Sequence, residues 1–201
     1  MKLFHQIKEA QKQLQGVVMA TPLSENLNLS TEFASRILLK REDLQTVRSY
    51  KIRGAYNKIS TLTTEEQEQG VICASAGNHA QGVAYSCKLL QIKGKIYMPK
   101  TTPKQKLKQV SLFGGSFVEI ILTGDTFDDG YAAAMTDATK NKLTFIHPFD
   151  DEKVIAGQGT VGLEILESYK KPIDYVFVPI GGGGLASGLS EVFKHLSPNT
   201  K

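Results

Sequence analysis

The chain has 201 residues, 41% of them apolar and 22% charged, and a formal net charge of +4. These values are typical of a globular protein with one large or two small domains. No apolar run approaches the length of a membrane span, and the basic run between Lys100 and Lys108 lacks the interleaved aromatic residues of a nucleic-acid site. Cys73 and Cys87 lie in apolar segments, which favours buried thiols in a reducing compartment over a disulfide. We therefore expect a cytoplasmic protein with neither a membrane nor a nucleic acid as partner.

Strands and helices alternate along the chain. Residues 4–15 predict an amphipathic helix, and Thr63 with Glu66 predicts a capping box for a short helix that Gly70 ends. This alternation predicts crossover connections and an α/β fold with a parallel sheet covered on both faces. The further predicted strands are 36–40, 71–74, 95–98, 117–122, 143–146 and 174–180. The further predicted helices are 54–61, 78–90, a helix with Thr102 as its cap and Pro103 in its first turn, 125–140, 158–169 and 185–196.

The last predicted helix ends near Ser197, and no strand follows it. A helix after a parallel strand normally leads to another strand of the same sheet. We therefore expect a fragment of a longer protein with an incomplete second sheet, and a natural terminal helix stays open as the alternative.

Residues 49–55, with the sequence SYKIRGA, place Lys51 at a loop-to-helix junction beside Tyr50. The positive charge of Arg53 and partial burial are both expected to lower the pKa of Lys51. A lysine with a lowered pKa is a nucleophile that forms Schiff bases with carbonyl groups. The alternative is a solvated loop lysine without a chemical role.

Residues 181–185, with the sequence GGGGL, follow a predicted strand and open a helix. Glycines let backbone N–H groups approach an anion at a helix start, which predicts a phosphate site. A tight turn without a ligand is one alternative. A dinucleotide site is another, because Gly181, Gly183 and Ala186 fit G-x-G-x-x-A, but the acidic residue expected about 20 positions later is missing.

Residues 75–82 form a second, polar strand-to-helix turn. Gly77 frees the backbone, and Ser75 and Asn78 are suited to bind a carboxylate. The Asn78 amide is also a donor for a phenolate oxygen. For His79, a packed or capping role is favoured over that of a base.

Residues 157–160 predict a turn that starts a helix, with Thr160 as its cap or as a ligand contact. His147 lies in a loop that is expected to order a hinge, and residues 147–157 are the best boundary between two lobes. No Cys/His spacing suits zinc, so no metal site is expected, and no Ser-His-Asp arrangement is evident.

In order and spacing, residues 49–55, 75–82 and 181–185 resemble the N-terminal part of the threonine dehydratases (threonine ammonia-lyases) of the pyridoxal-phosphate fold type II, or tryptophan synthase beta-like, family. Residues 39–45, 147–151 and 157–160 are also similar, and the similarity covers essentially the whole chain. It implies two lobes of three-layer αβα parallel sheet, the second incomplete. The implied division is a 1–53 segment packed on the large lobe, a small lobe at 54–148, and the start of the large cofactor-binding lobe at 149–201.

The resemblance also implies roles for individual residues. Lys51 would hold pyridoxal 5'-phosphate, and Tyr50 would lie against the cofactor ring, where the family commonly has Phe. Asn78 would face the ring hydroxyl. The implied phosphate contacts are the backbone amides of Gly181, Gly182, Gly183, Gly184 and Leu185, and the implied substrate carboxylate contacts are Ser75, Gly77, Asn78 and His79.

The implied activity is the deamination of L-threonine to 2-oxobutanoate and ammonia, the first step of isoleucine biosynthesis. The whole enzyme is expected to be a homo-oligomer, and the 201-residue piece is expected to be weakly active or inactive. Serine dehydratase, catabolic threonine dehydratase and serine racemase, all of the same fold, remain alternatives. A non-catalytic ligand-binding module is an alternative of a different class.

Overall fold

Helices and strands alternate along most of the chain in the computed structural model, which describes residues 1–201. The strands are β1 (Leu23–Glu25), β2 (Leu38–Lys40), β3 (Val71–Ala74), β4 (Gly94–Met98), β5 (Val118–Leu122) and β6 (Thr144–Phe145). The α-helices are α1 (Lys2–Gln13), α2 (Leu27–Glu32), α3 (Lys51–Ser60), α4 (Thr64–Gln69), α5 (Asn78–Leu90), α6 (Lys104–Gly114), α7 (Phe127–Asn141), α8 (Glu152–Ser168) and α9 (Gly184–Leu196). Short 3-10 helices cover Glu42–Leu44 and Gly115–Phe117.

Four strands form a parallel sheet in the order β5-β4-β3-β6, which confirms the predicted α/β fold. Side chains alternate between the two faces of a strand. Val71 and Cys73 of β3 therefore lie in one apolar cluster with residues of α5 and α6, while Ile72 and Ala74 lie in another with residues of α7. Cys73 and Cys87 are buried free thiols, as predicted.

The remaining helices pack beside this sheet. Helix α1 packs on α8 and α9 through a cluster that includes Ile7, Leu163 and Val192. Helix α8 begins at Glu152, so the prediction that Gly157 to Thr160 is a turn opening a helix was wrong. A Cβ on Gly157 would overlap the backbone carbonyl of Arg53. This glycine therefore allows α8 to pack closely on α3, and the Thr160 hydroxyl donates to the Gly157 carbonyl at 2.7 Å instead of capping a helix.

Residues 174–180 were predicted to be a strand, and they are not one. The segment forms backbone hydrogen bonds only with Lys201, whose carbonyl accepts from Val176 at 2.8 Å and whose N–H donates to Asp174 at 2.9 Å. The side chain of Phe177 is 91% exposed. An apolar run becomes a strand only when a neighbouring strand pairs with it, and no described residues supply one.

None of the helices is both long and apolar enough to cross a membrane.

Helix starts differ in how their free backbone N–H groups are satisfied. The predicted capping box at Thr63 and Glu66 is confirmed at α4, and a second one, Thr126 with Asp129, starts α7. Asp151 caps α8 by accepting from two backbone N–H groups. The prediction that Thr102 caps α6 was wrong, because the helix begins after Pro103 and the Thr102 hydroxyl has no hydrogen-bond partner.

Candidate active site

Lys51 is the first residue of α3, and its side chain is only partly exposed. Its Nζ donates to the carbonyl oxygen of Pro148 at 2.7 Å and lies 5.6 Å from the centre of the Tyr50 ring. Burial lowers the pKa of Lys51, because the charged form loses hydration. A larger share of the amine is therefore neutral at a given pH than in a solvated lysine. The prediction of a lowered pKa holds, with burial as its cause.

Arg53 does not lower the pKa of Lys51 as predicted, because its side chain is fully buried between two carboxylates. Its guanidinium donates to Glu42 at 2.7 Å and to Glu164 at 2.6 Å, and Lys40 also pairs with Glu164. Burial acts to lower the pKa of Arg53, but the hydrogen bonds to Glu42 and Glu164 raise it overall. The guanidinium thus joins α3 to α8 and to the 3-10 turn at Glu42.

The start of α5 has a polar turn without a side-chain cap. The Ser75 hydroxyl accepts from the Gly77 N–H at 3.2 Å, Asn78 is exposed, and a Cβ on Gly77 would meet nothing within 4 Å. The first backbone N–H groups of a helix have no partner within it. This turn therefore offers free donors and an amide side chain to the space around it.

His79 points the other way, into the core. Its ring is buried, and Nε2 lies 2.8 Å from the carbonyl oxygen of Ile146. Because a carbonyl only accepts, Nε2 carries the proton, and Nδ1 has no partner. Burial lowers the pKa of His79 to about 4, so the ring is neutral at neutral pH. The packed role favoured from the sequence agrees with this position, and a contact with a substrate carboxylate would involve the backbone N–H of His79.

The four glycines form the turn before α9. Gly183 is the N-cap, with φ +87° and no side-chain cap, a backbone conformation that favours glycine. A Cβ on Gly181 or Gly183 would face open space, whereas one on Gly182 or Gly184 would meet Phe149. The Leu185 side chain is buried in an apolar cluster, which leaves its backbone N–H as the group that could bind a ligand. One side of the glycine turn is therefore backed by Phe149, and the other side is open.

One short segment, Ile146 to Phe149, contacts all three predicted stretches; we call it the bridging segment. The carbonyl of Ile146 binds His79, the carbonyl of Pro148 binds Lys51, and Phe149 packs on the glycine turn. From the sequence, this loop was expected only to order a hinge and to mark a boundary between two lobes. Two of its three contacts use backbone carbonyls, which no residue type encodes, and only the similarity of residues 147–151 to the family pointed to it.

The comparison with known proteins defines the class. The model of the family "Pyridoxal-phosphate dependent enzyme" matches residues 14–201, and the chain therefore belongs to that family. The L-threonine dehydratase biosynthetic IlvA of Halalkalibacterium halodurans is 58% identical over 192 residues, which are 96% of this chain and 46% of that protein. The protein of the same name from Bacillus subtilis is 55% identical over 195 residues, 97% of this chain and 46% of that protein.

Solved structures agree on the fold. The processed form of threonine deaminase isoform 2 from Solanum lycopersicum superposes with a TM-score of 0.93 at 44% identity, covering 100% of this chain and 54% of that chain. Maize serine racemase superposes with a TM-score of 0.92 at 34% identity, covering 98% and 59%. The chain thus spans about half the length of the relatives that it matches.

Proposed function

We propose that this chain is the N-terminal part of a pyridoxal-phosphate dependent threonine ammonia-lyase, which converts L-threonine to 2-oxobutanoate and ammonia. The observation that carries the proposal is the bridging segment, which contacts the Lys51 amine, the glycine turn and the start of α5. An amine, a phosphate site and a carboxylate site beside one another suit a phosphorylated aldehyde and an amino acid. The names of the curated relatives supply threonine as the substrate.

The residues present fit this cofactor. The Lys51 amine, with its lowered pKa, suits an aldehyde, and the open side of the glycine turn leaves the N–H groups at the start of α9 free for a phosphate. Tyr50 is partly buried beside Lys51 and suits contact with the cofactor ring, while the exposed Asn78 amide suits the ring hydroxyl. When bound, the cofactor supplies an electron sink for the charge that develops at the substrate Cα.

The chain's own groups would bind the substrate and remove its Cα proton. The free N–H groups at the start of α5, with Ser75 and Asn78, would hold the substrate carboxylate and orient the Cα–H bond toward Lys51. The neutral Lys51 Nζ would take the Cα proton as general base, which a lowered pKa favours near neutral pH. The Pro148 carbonyl accepts from Nζ and so fixes the direction of the amine. The Cβ–O bond would then break, the β-hydroxyl would leave as water with the equivalent of the proton removed from Cα, and water would hydrolyse the released enamine to 2-oxobutanoate and ammonia.

We also propose the division into a small lobe at 54–148 and a larger lobe that residues 1–53 and 149–201 begin. The packing of α1 on α8 and α9, beside a four-stranded sheet built from residues 71–145, supports it. The whole enzyme would be a cytoplasmic homo-oligomer in the biosynthesis of isoleucine, and the 201-residue piece would be weakly active or inactive.

Serine is the second candidate substrate, because the fold matches maize serine racemase nearly as well as threonine deaminase. The test is to supply the whole protein and its Lys51→Ala variant with L-threonine or L-serine in the presence of pyridoxal phosphate. We expect 2-oxobutanoate from threonine at a higher kcat/KM than pyruvate from serine, and no product from the variant. Net formation of D-serine without 2-oxobutanoate would instead assign a racemase, and product formation by the variant would remove Lys51 from the reaction.

A further inference from the structure

We propose that His147 is a positioning residue, whose imidazole folds the bridging segment so that Pro148 reaches the Lys51 amine and Phe149 backs the glycine turn. His147 Nδ1 accepts from the Asp150 N–H at 2.7 Å and from the Phe149 N–H at 3.3 Å. The ring also packs edge-on against Phe149, with ring centres 4.7 Å apart and planes at 86°. One side chain thus closes the turn by two hydrogen bonds and one aromatic contact.

The backbone is fixed by other contacts before and after this turn, and within the turn it is held by His147. Before it, the Ile146 N–H donates to the Ile72 carbonyl at 2.8 Å, which fixes the segment to the sheet. After it, Asp151 accepts from Lys153 and Val154 and starts α8. Between these two anchors, the backbone N–H groups of Phe149 and Asp150 bind only His147. The position of the Pro148 carbonyl, 2.7 Å from Lys51 Nζ, therefore depends on the imidazole.

Burial of the His147 ring favours its neutral, acceptor form. Backbone N–H groups only donate, so Nδ1 must be unprotonated to bind them. Burial lowers the pKa of His147, and the positive charge of Lys51 acts in the same direction, whereas Asp150 and Asp151 act to raise it. His79, the other titratable ring near Lys51 and His147, is neutral at neutral pH. At neutral pH the imidazole therefore keeps the turn closed.

The fold of this turn affects the pKa of the Lys51 amine. Burial is the cause of its lowered pKa, and the bridging segment lies directly against Nζ. Opening the turn would expose the amine to water and return its pKa toward the ordinary lysine value of about 10.4. This role of His147 adds to the function proposed for Lys51, but it concerns the pKa of the free Lys51 amine. It can therefore be tested without cofactor or substrate and can fail independently of that function.

The test measures the titration of Lys51 by trace acetylation with acetic anhydride over a pH series, followed by peptide mass spectrometry. The exposed Lys104 serves as internal reference. In His147→Leu, which keeps the bulk but has no acceptor, we expect the Lys51 midpoint to rise toward the ordinary lysine value. His147→Asn should restore the midpoint, because an Asn side chain also accepts from backbone N–H groups two residues on. His5→Leu, at an exposed histidine, is the matched control and should change nothing.

An unchanged Lys51 midpoint in a His147→Leu variant with the far-ultraviolet circular dichroism of the parent chain would overturn the proposal. If that variant does not fold, amide hydrogen exchange in the unsubstituted chain decides. We expect the Phe149 and Asp150 amides to be protected at neutral pH and to lose that protection as the pH falls and His147 is protonated. Unprotected amides at neutral pH, or protection that persists after protonation, would equally overturn it.

Discussion

Two kinds of helix start occur in this chain, and they use the same backbone groups differently. At α4 and α7 a threonine and an acidic residue cap the helix, so the free N–H groups are satisfied within the chain. At α5 and α9 the N-cap is a glycine, which has no side chain to cap the N–H groups that follow it. A cap contributes about 1 kcal/mol to stability. The glycine starts forgo that contribution and keep donors and a favourable dipole available to an anion.

The glycine helix starts also share a position in the fold. Both glycine starts adjoin the bridging segment, through His79 at α5 and through Phe149 at α9. Lys51 begins the third helix that this segment contacts, and the N-cap of that helix, Tyr50, also gives no side-chain cap. Three helix starts without a side-chain cap thus lie around one segment, which supports the ligand site that we propose there.

The largest change in stability is expected at the glycine turn. In Gly184→Ala the new Cβ would lie 2.8 Å from the Phe149 carbonyl oxygen, so the backbone must shift. We expect a loss of about 1–3 kcal/mol in the free energy of unfolding, measured with urea, together with weaker binding of pyridoxal phosphate. Gly181→Ala is the matched control, because its Cβ would meet nothing within 4 Å. Equal losses in both variants would show that Phe149 does not set the shape of the turn.

The next largest change is expected at a capped start. Thr126→Ala removes the hydroxyl that accepts from the Asp129 N–H, which costs about 1 kcal/mol in the free energy of unfolding. Thr63→Ala should behave alike at α4. Because both caps serve only the fold, the affinity for pyridoxal phosphate should stay at the parent value. A tenfold weaker affinity in either variant would break the distinction between the two kinds of start.

A smaller change is expected from pH at the start of α8. Burial acts to raise the pKa of Asp151, but the ion pair with Lys58 and the N–H groups of Val154 and Lys153 lower it overall. Its contribution is therefore present above the unfolded value of about 3.9 and is lost as the pH falls through the lower folded value. Asp151→Asn keeps a capping oxygen and should cost at most about 1 kcal/mol near neutral pH. Urea unfolding at several pH values should show this difference shrink below about pH 4, and a constant difference would contradict it.

The smallest change in stability, with a large change in function, is expected at Gly77. A Cβ on Gly77 would meet nothing within 4 Å, and the carboxylate of Gly77→Asp would cap α5, which adds a few tenths of a kcal/mol. That carboxylate would occupy the donors proposed for the substrate, so the KM for threonine of the whole protein should rise about tenfold or more. Gly77→Ala has no capping group and should leave KM near the parent value. A parent-like KM in Gly77→Asp would remove the α5 start from the site.

Local patterns predicted much of the fold. The capping box at Thr63, the strand at 71–74 and the helix at 78–90 depend on neighbouring residues and agree with the structure. Features that depend on distant partners were missed. Gly157 looked like a turn residue but lies inside α8, where it allows close packing on α3, and residues 174–180 lack the neighbouring strand that their apolar pattern requires.

The site shows the same division. Lys51, the polar turn and the glycine turn were predicted from their side chains or their lack of side chains, and all three contact the bridging segment. Arg53 was misinterpreted, because its carboxylate partners Glu42 and Glu164 lie 11 and 111 positions away along the chain. The carbonyl of Pro148 could not be predicted, since every residue has a carbonyl and only the fold directs this one to Nζ.

The most direct test of a single cofactor site is to incubate the chain with pyridoxal phosphate, reduce it with borohydride and map the modified peptides by mass spectrometry. We expect the phosphopyridoxyl group on Lys51, no comparable labelling in Lys51→Ala, and less labelling of Lys51 when inorganic phosphate competes for the glycine turn. Labelling spread over exposed lysines with Lys51 unmodified, or the same total in Lys51→Ala, would contradict the assignment of this amine and this turn to one ligand.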